Sequence, residues 1–168
     1  MEVVKVYQEK LPEAKLVGKR YTNHDRDESG TFAGKWRQWI QEGRFDILKQ
    51  CKLISETRDD MLAAMRAGDS GDFEYWIGVF LAPDAEVPLG YDSTIIPAGE
   101  IGVCWIYGSE KSGELYSREA SALTMDALTE KGWNLAEKGW FLERYNHPRF
   151  TIPDEKGNVI LDICAYLG

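Results

Sequence analysis

This sequence is poor in the side chains that build metal centres and covalent cross-links. Of 168 residues, two are histidine and three are cysteine. His24 and His147 are isolated from each other, and Cys51, Cys104 and Cys164 show no CxxC spacing. Neither a metal site nor a disulfide framework is expected, and three reduced structural thiols suit a cytosolic protein. Cys104 and Cys164 lie in apolar strand-like runs and read as core packing. No apolar run approaches the roughly 20 residues that span a bilayer. The opening "MEVVKVYQEKLPEAK" mixes charge with apolar residues and lacks a signal-peptide core, so a cytoplasmic location is expected. There is no phosphate loop and no nucleophile elbow, and no cofactor is expected.

A surplus of positive charge is also missing. Lys and Arg number 20 against 28 Asp and Glu, giving a net charge of -8. Nucleic-acid binders present a basic patch, so direct nucleic-acid binding is not expected. Contact with an anionic membrane is not expected either. An acidic surface favours cationic small molecules instead.

Aromatic residues are what the chain has in quantity: six Trp, eight Tyr and six Phe. They supply either a heavy core or the walls of a ligand cavity. The chain is long enough for one domain with a substantial core.

Residues 3–22 read as a strand interrupted near Leu11-Pro12, because proline cannot donate to a ladder. A polar, turn-rich segment follows. Thr31 is placed to cap a helix through "TFAGKWRQWIQEG", with Phe32, Trp36, Trp39 and Ile40 as its apolar stripe and Gly43 as its stop. Residues 44–68 read as a second helical stretch with a charged middle, and "DSGD" (69–72) as a turn. Strands are expected at 73–82, 91–96 and 100–109. Residues 116–132 read as a helix capped by Ser117 and closed by Gly132, with Ala120, Leu123, Ala127 and Leu128 on one face. Strands at 140–146 and 159–167 complete the chain.

That order repeats as strand, helix, strand, strand, once over about 3–96 and again over about 99–167. The fold class expected is α+β: one domain over 1–168, whose two pseudo-symmetric repeats form a curved antiparallel sheet with helices packed on it and a central ligand pocket. Superposing "YWIG" on "WFLE" pairs Trp76 with Phe141 and Gly78 with Glu143. A glycine inside a strand marks close approach by a ligand or another chain segment.

The stretch "WFLERYN" (140–146) carries a carboxylate between rings. Alternation places Phe141, Glu143 and Tyr145 on one face and Leu142 and Arg144 on the other.

Together, "KLPEAKLVGKRY", the Trp-bearing helix, "YWIGVF", "IPAGEIGVCWIYG" and "FLERYNHPRF" resemble GyrI-like small-molecule-binding domains. These also form the effector-binding half of some AraC-type and MerR-type regulators. The resemblance covers nearly the whole chain. It implies two repeats around a central ligand pocket, with the key acidic residue at Glu143, which in multidrug-sensing members meets cationic aromatic ligands. It extends to a subfamily that uses an aromatic cage to hydrolyse cyclopropane-bearing DNA-alkylating natural products. No residues are available for a helix-turn-helix, so a stand-alone member is expected.

On this reading Glu143 and Tyr145 are the candidate catalytic residues, the tyrosine orienting the carboxylate or polarising a leaving oxygen. Trp36, Trp39, Trp76, Trp105, Tyr107 and Phe141 are the candidate ligand walls. For each tryptophan the competing reading is core packing, which must hold for at least one of Trp36 and Trp39. The expected partner is a hydrophobic, aromatic or cationic small molecule, either held or hydrolysed. The alternative is a protein-interaction module, such as a gyrase-inhibitor-like protein, or an effector-sensing partner of a regulator without catalysis. The oligomeric state is open.

Overall fold

The computed structural model describes residues 1–68 and 71–168, so the predicted turn over 69–72 lies partly outside the described residues. The class is α+β, as the sequence indicates. The chain divides into two compact units: Met1–Leu11 with Ala98–Gly168, and Pro12–Pro97.

The first unit holds β1 (Glu2–Leu11), β6 (Gly99–Ser109), α3 (Arg118–Glu130), β7 (Phe141–Asn146) and β8 (Asn158–Tyr166). Its strands lie in the order β1-β6-β8-β7, and every pairing is antiparallel. The helix starts where expected: Ser117 Oγ accepts from the backbone N–H of Ala120 at 3.2 Å. This satisfies one of the donors that a helix start leaves unpaired. The helix seats closely on β6, since a Cβ built on Gly102 would lie 2.7 Å from a Leu128 methyl.

The second unit holds β2 (Ala14–Tyr21), α1 (Ala33–Glu42), α2 (Arg44–Leu48), β3 (Asp60–Ala67), β4 (Phe73–Leu81) and β5 (Asp92–Ile96). Its strands lie in the order β3-β4-β2-β5, all antiparallel. The break at Pro12 appears as expected, between β1 and β2. Gly43, at φ 65°, ends α1 in the left-handed conformation that glycine adopts without strain. Thr31 is not the residue that caps α1: Phe32 is the cap, and Thr31 Oγ1 accepts from the Ala33 N–H at 3.3 Å.

The sequence reading fails at 44–68. Helix α2 stops at Leu48, and Asp60–Ala67 is strand β3, paired to β4 from Leu62↔Gly78 to Ala67↔Phe73. "DMLAAMRA" is rich in strong helix formers, but Leu62, Ala63 and Ala64 are all fully buried. Its middle, covered on both faces, shows no alternation to read, and tertiary pairing overrides its helical preference.

This strand also shifts the internal comparison. Strand β4 pairs on both sides, with β2 and β3, as β8 does with β6 and β7. The counterpart of β7 is therefore β3, not β4, and Gly78 is not the positional equivalent of Glu143. What approaches Gly78 is chain: a Cβ there would lie 2.2 Å from the Val17 carbonyl oxygen.

Among the described residues no helix is long and apolar enough to cross a membrane.

Two substitutions of the same kind are expected to act with opposite sign. Gly78→Ala forces β2 and β4 apart and is expected to cost about 1–3 kcal/mol. Gly34→Ala in α1, where the nearest atom to a new Cβ is 3.8 Å away, is expected to add roughly 0.5–1 kcal/mol. Urea unfolding of both variants measures the difference.

Candidate functional site

Registers in the first unit define two rows across its sheet. Lys5, Trp105, Asp162 and Arg144 are paired in turn from β1 to β7, and so are Val6, Cys104, Ile163 and Glu143. Paired residues share a face and successive residues alternate, so these rows lie on opposite faces. Gly102, Ala165 and Phe141 form a further row on the Glu143 face. That face is the one α3 covers.

On the face away from α3, Arg144 is almost fully buried, with acceptors at each of its three nitrogens. Its Nη1 donates to Glu9 Oε2 at 2.7 Å, its Nε and Nη2 donate to Asp162 Oδ2 at 3.2 and 3.1 Å, and its Nη2 reaches Tyr7 Oη at 3.3 Å. Asp162 is wholly buried and also accepts from Arg149 Nη2 at 2.7 Å and Nε at 3.2 Å. The Arg149 guanidinium lies 4.2 Å from the Trp105 ring centre and the Lys5 ammonium 4.6 Å from it. Tyr107 donates to Asp154 Oδ2 at 2.5 Å. Trp105 and Tyr107 therefore lie on the opposite face from Glu143, among side chains of their own unit.

On the α3 face, Glu143 is half-buried. Tyr145 Oη donates to Glu143 Oε2 at 2.5 Å. Burial pushes the Glu143 pKa above the usual carboxylate range, and the Tyr145 hydrogen bond opposes part of that rise. The Tyr145 ring is buried and meets Phe150 edge-on, with centres 4.8 Å apart. Tyr116, on the turn before α3, presents its ring to Tyr145 at 6.5 Å and a 36° tilt. Burial and the charges of Glu110 and Glu143 push the Tyr116 phenol pKa up. Phe141, half-buried, shares this face.

The structure thus brings Phe141, Glu143 and Tyr145 onto one face, as alternation requires, and adds Tyr116 and Phe150, which sequence reasoning missed. Tyr116 immediately precedes a helix cap, where an apolar residue ordinarily reads as a staple onto the first turn. Phe150 sits in the irregular "HPRFTIP" segment, which has no periodicity to place it.

The other predicted residues belong to the second unit. Trp39 is fully buried, with its indole N–H donating to Tyr21 Oη at 2.9 Å. Trp36 donates to Tyr75 Oη at 2.9 Å and stacks on Phe45 at 5.7 Å. Trp76 is buried on the face away from α1 and donates to Glu74 Oε1 at 3.4 Å. Glu74 also takes Arg20 Nε at 2.9 Å and Arg66 Nε at 2.8 Å.

An open groove of about 420 Å³ lies between β1 and α3, lined by Val3, Val6, Leu123, Asp126, Ala127, Glu130 and Lys131. None of the predicted site residues lines it.

A half-buried acid, held by one phenol and bordered by rings, can do two things. It can supply the counter-charge to a bound cation, or it can move a proton.

The comparisons come from structure alone, since no family model and no curated protein matches the chain. SAV2435, solved bound to tetraphenylphosphonium, has a TM-score of 0.73 at 17% identity, covering 98% of this chain and 94% of that one. A Staphylococcus aureus MU50 protein assigned to bacterial transcription regulation has a TM-score of 0.67 at 19% identity, covering 99% and 98%. The EcmrR C-terminal domain has a TM-score of 0.60 at 13% identity, covering 100% and 99%.

Two stability measurements follow. Asp162→Ala leaves Arg144 and Arg149 without their shared carboxylate and is expected to cost about 3–5 kcal/mol in urea unfolding. The fold favours neutral Glu143, so that contribution is complete below the ordinary carboxylate pKa and lost as pH rises through the raised one. Between pH 4 and 8, thermal unfolding of Glu143→Gln should lack the loss that the native protein shows over this window.

At these identities the likeness is one of fold, and the fold is that of the GyrI-like domains which the sequence resembles.

Proposed function

We propose that this chain binds a bulky, hydrophobic organic cation against the Glu143 face of its first unit, as a stand-alone xenobiotic-binding protein. The observation that carries the reading is a half-buried glutamate beside the rings of Tyr145 and Tyr116, with no cationic partner among the described residues. Among the described residues its one hydrogen bond comes from a neutral phenol. Such a carboxylate is costly to ionise in isolation, and a ligand that brings positive charge removes that cost. Flat or arylated cations also gain ring contact and cation–π attraction from Tyr116, Tyr145, Phe150 and Phe141. The tetraphenylphosphonium carried by SAV2435, a protein of the same fold, is a ligand of this class. The net charge of -8 favours approach of cations.

Calorimetric titration with tetraphenylphosphonium tests the proposal. Saturable one-to-one binding is expected, weakened roughly tenfold or more by Glu143→Gln, which corresponds to at least about 1.4 kcal/mol. Absence of binding, or equal affinity in the variant, would sink it.

A second reading is favoured by the Tyr145–Glu143 pair. A carboxyl with a raised pKa next to a phenol is suited to activate water and to stabilise charge on a conjugated oxygen. That would let the site open the strained ring of a cyclopropane-bearing alkylator. Mass spectrometry distinguishes turnover to ring-opened product from stoichiometric retention of the intact compound.

A further inference from the structure

We propose that the site takes up its cation in exchange for a proton, and that Tyr145 is the positioning residue that sets the pH at which the exchange occurs. The inference rests on the cation-binding reading above and adds its chemical balance. Below the Glu143 pKa, the ligand-free protein holds this carboxyl protonated, with its O–H bond intact. On binding, that bond breaks, the proton leaves to solvent, and the carboxylate formed pairs with the incoming positive charge.

The geometry supports this from both sides of the sheet. Glu143 has Arg144 as its immediate neighbour, yet strand alternation sends the guanidinium through to the other face, where Glu9 and Asp162 take it. Arg149 is held by Asp162 and Lys5 lies over Trp105. None of the ion pairs among the described residues of this unit includes Glu143. The titratable groups that interact with it are phenols: Tyr145 from its own strand and Tyr116 from the turn before α3. Tyr116 in turn feels Glu110, whose negative charge gives Glu143 no help in ionising. Desolvation in such surroundings favours the neutral carboxyl. Among the described residues the group that eases its ionisation is the Tyr145 hydroxyl, which donates to one of the two oxygens that would share the charge.

The Tyr145 hydroxyl therefore acts on protonation, while its ring supplies contact area. Below the Glu143 pKa, affinity for a permanent cation should rise about tenfold per pH unit, because one proton is released per ligand bound. Above it, affinity should level off. Removing the Tyr145 hydroxyl should move the break to higher pH.

The experiment has two arms. The first follows the Glu143 carboxyl carbon by NMR across pH 4–9 in ligand-free native protein and in Tyr145→Phe. The midpoint is expected above the ordinary carboxylate range in the native protein and higher again in the variant. An ordinary or depressed midpoint, or one that Tyr145→Phe does not raise, overturns the inference. The second arm titrates tetraphenylphosphonium in two buffers of different ionisation enthalpy at each pH. Release approaching one proton per ligand is expected below the midpoint, and none well above it. Binding with no proton released at any pH also overturns it. Failure of the cation to bind would defeat the function proposed above, and the exchange with it. The carboxyl titration would still decide whether Tyr145 tunes Glu143.

Discussion

The pleat of β7 separates two opposite charges that are adjacent in sequence. Glu143 and Arg144 would pair on any flexible segment, but successive residues of a strand face opposite sides of the sheet. Strand pairing places Arg144 across from Asp162 and Glu143 across from Ile163. The arginine thus meets two carboxylates and a phenol, while the glutamate meets aliphatic and aromatic carbon. A one-residue slip in the pairing of β7 with β8 would turn every β7 side chain to the other face. It would put the guanidinium under α3 and the carboxylate beside Asp162. The buried cluster on the far face, Arg144 and Arg149 around Asp162, opposes that slip because each charge has its partner only in the observed register. The structural cluster on one face and the candidate site on the other are two consequences of the same ladder.

The two units repeat this arrangement on one face and break it on the other. Away from α1, the second unit sets Glu74 between Arg20 and Arg66, with Trp76 donating to the same carboxylate. Away from α3, the first unit sets Asp162 between Arg144 and Arg149, with Trp105 beneath the Arg149 guanidinium. The helix-covered faces diverge. In the second unit they are closed by rings that satisfy one another: Trp39 with Tyr21, Trp36 with Tyr75, and Phe32 stacked on Tyr75 at 4.1 Å. In the first unit the corresponding face holds Glu143 with a single phenol. The asymmetry between repeats therefore lies in how each helix-covered face satisfies its polar groups, not in the exchange of a glycine for a glutamate.

Legibility followed from how far each element's exposure alternates. In "WFLERYN", one face is more exposed than the other, so two-residue spacing alone sorted Phe141, Glu143 and Tyr145 from Leu142 and Arg144. Helix α3 announced itself through Ser117 and its spaced apolar residues. Strand β3 was unreadable because burial on both faces erases the pattern and alanine favours the wrong state. Trp105 and Tyr107 could be placed on a strand, but which face that strand turned toward Glu143 depended on the registers of β6 and β8, which are long-range facts. Tyr116 and Phe150 come from a turn and a loop. Their approach to Tyr145 is set by chain reversal, for which no spacing rule exists.

Composition and site bear on different steps of recognition. A surplus of surface carboxylates attracts any cation, but over distances that salt limits to about 8–10 Å under physiological conditions, so it cannot choose among them. Choice requires a place where charge is expensive, because only there does supplying the opposite charge change the free energy by more than screening allows. Most of the 28 acidic residues counted in the sequence contribute to attraction alone. Glu143 is a carboxyl without an ion-pair partner among the described residues whose burial makes its charge expensive. The high aromatic content borders that acid group with rings, and elsewhere it builds cores whose indole and phenol groups bond to each other.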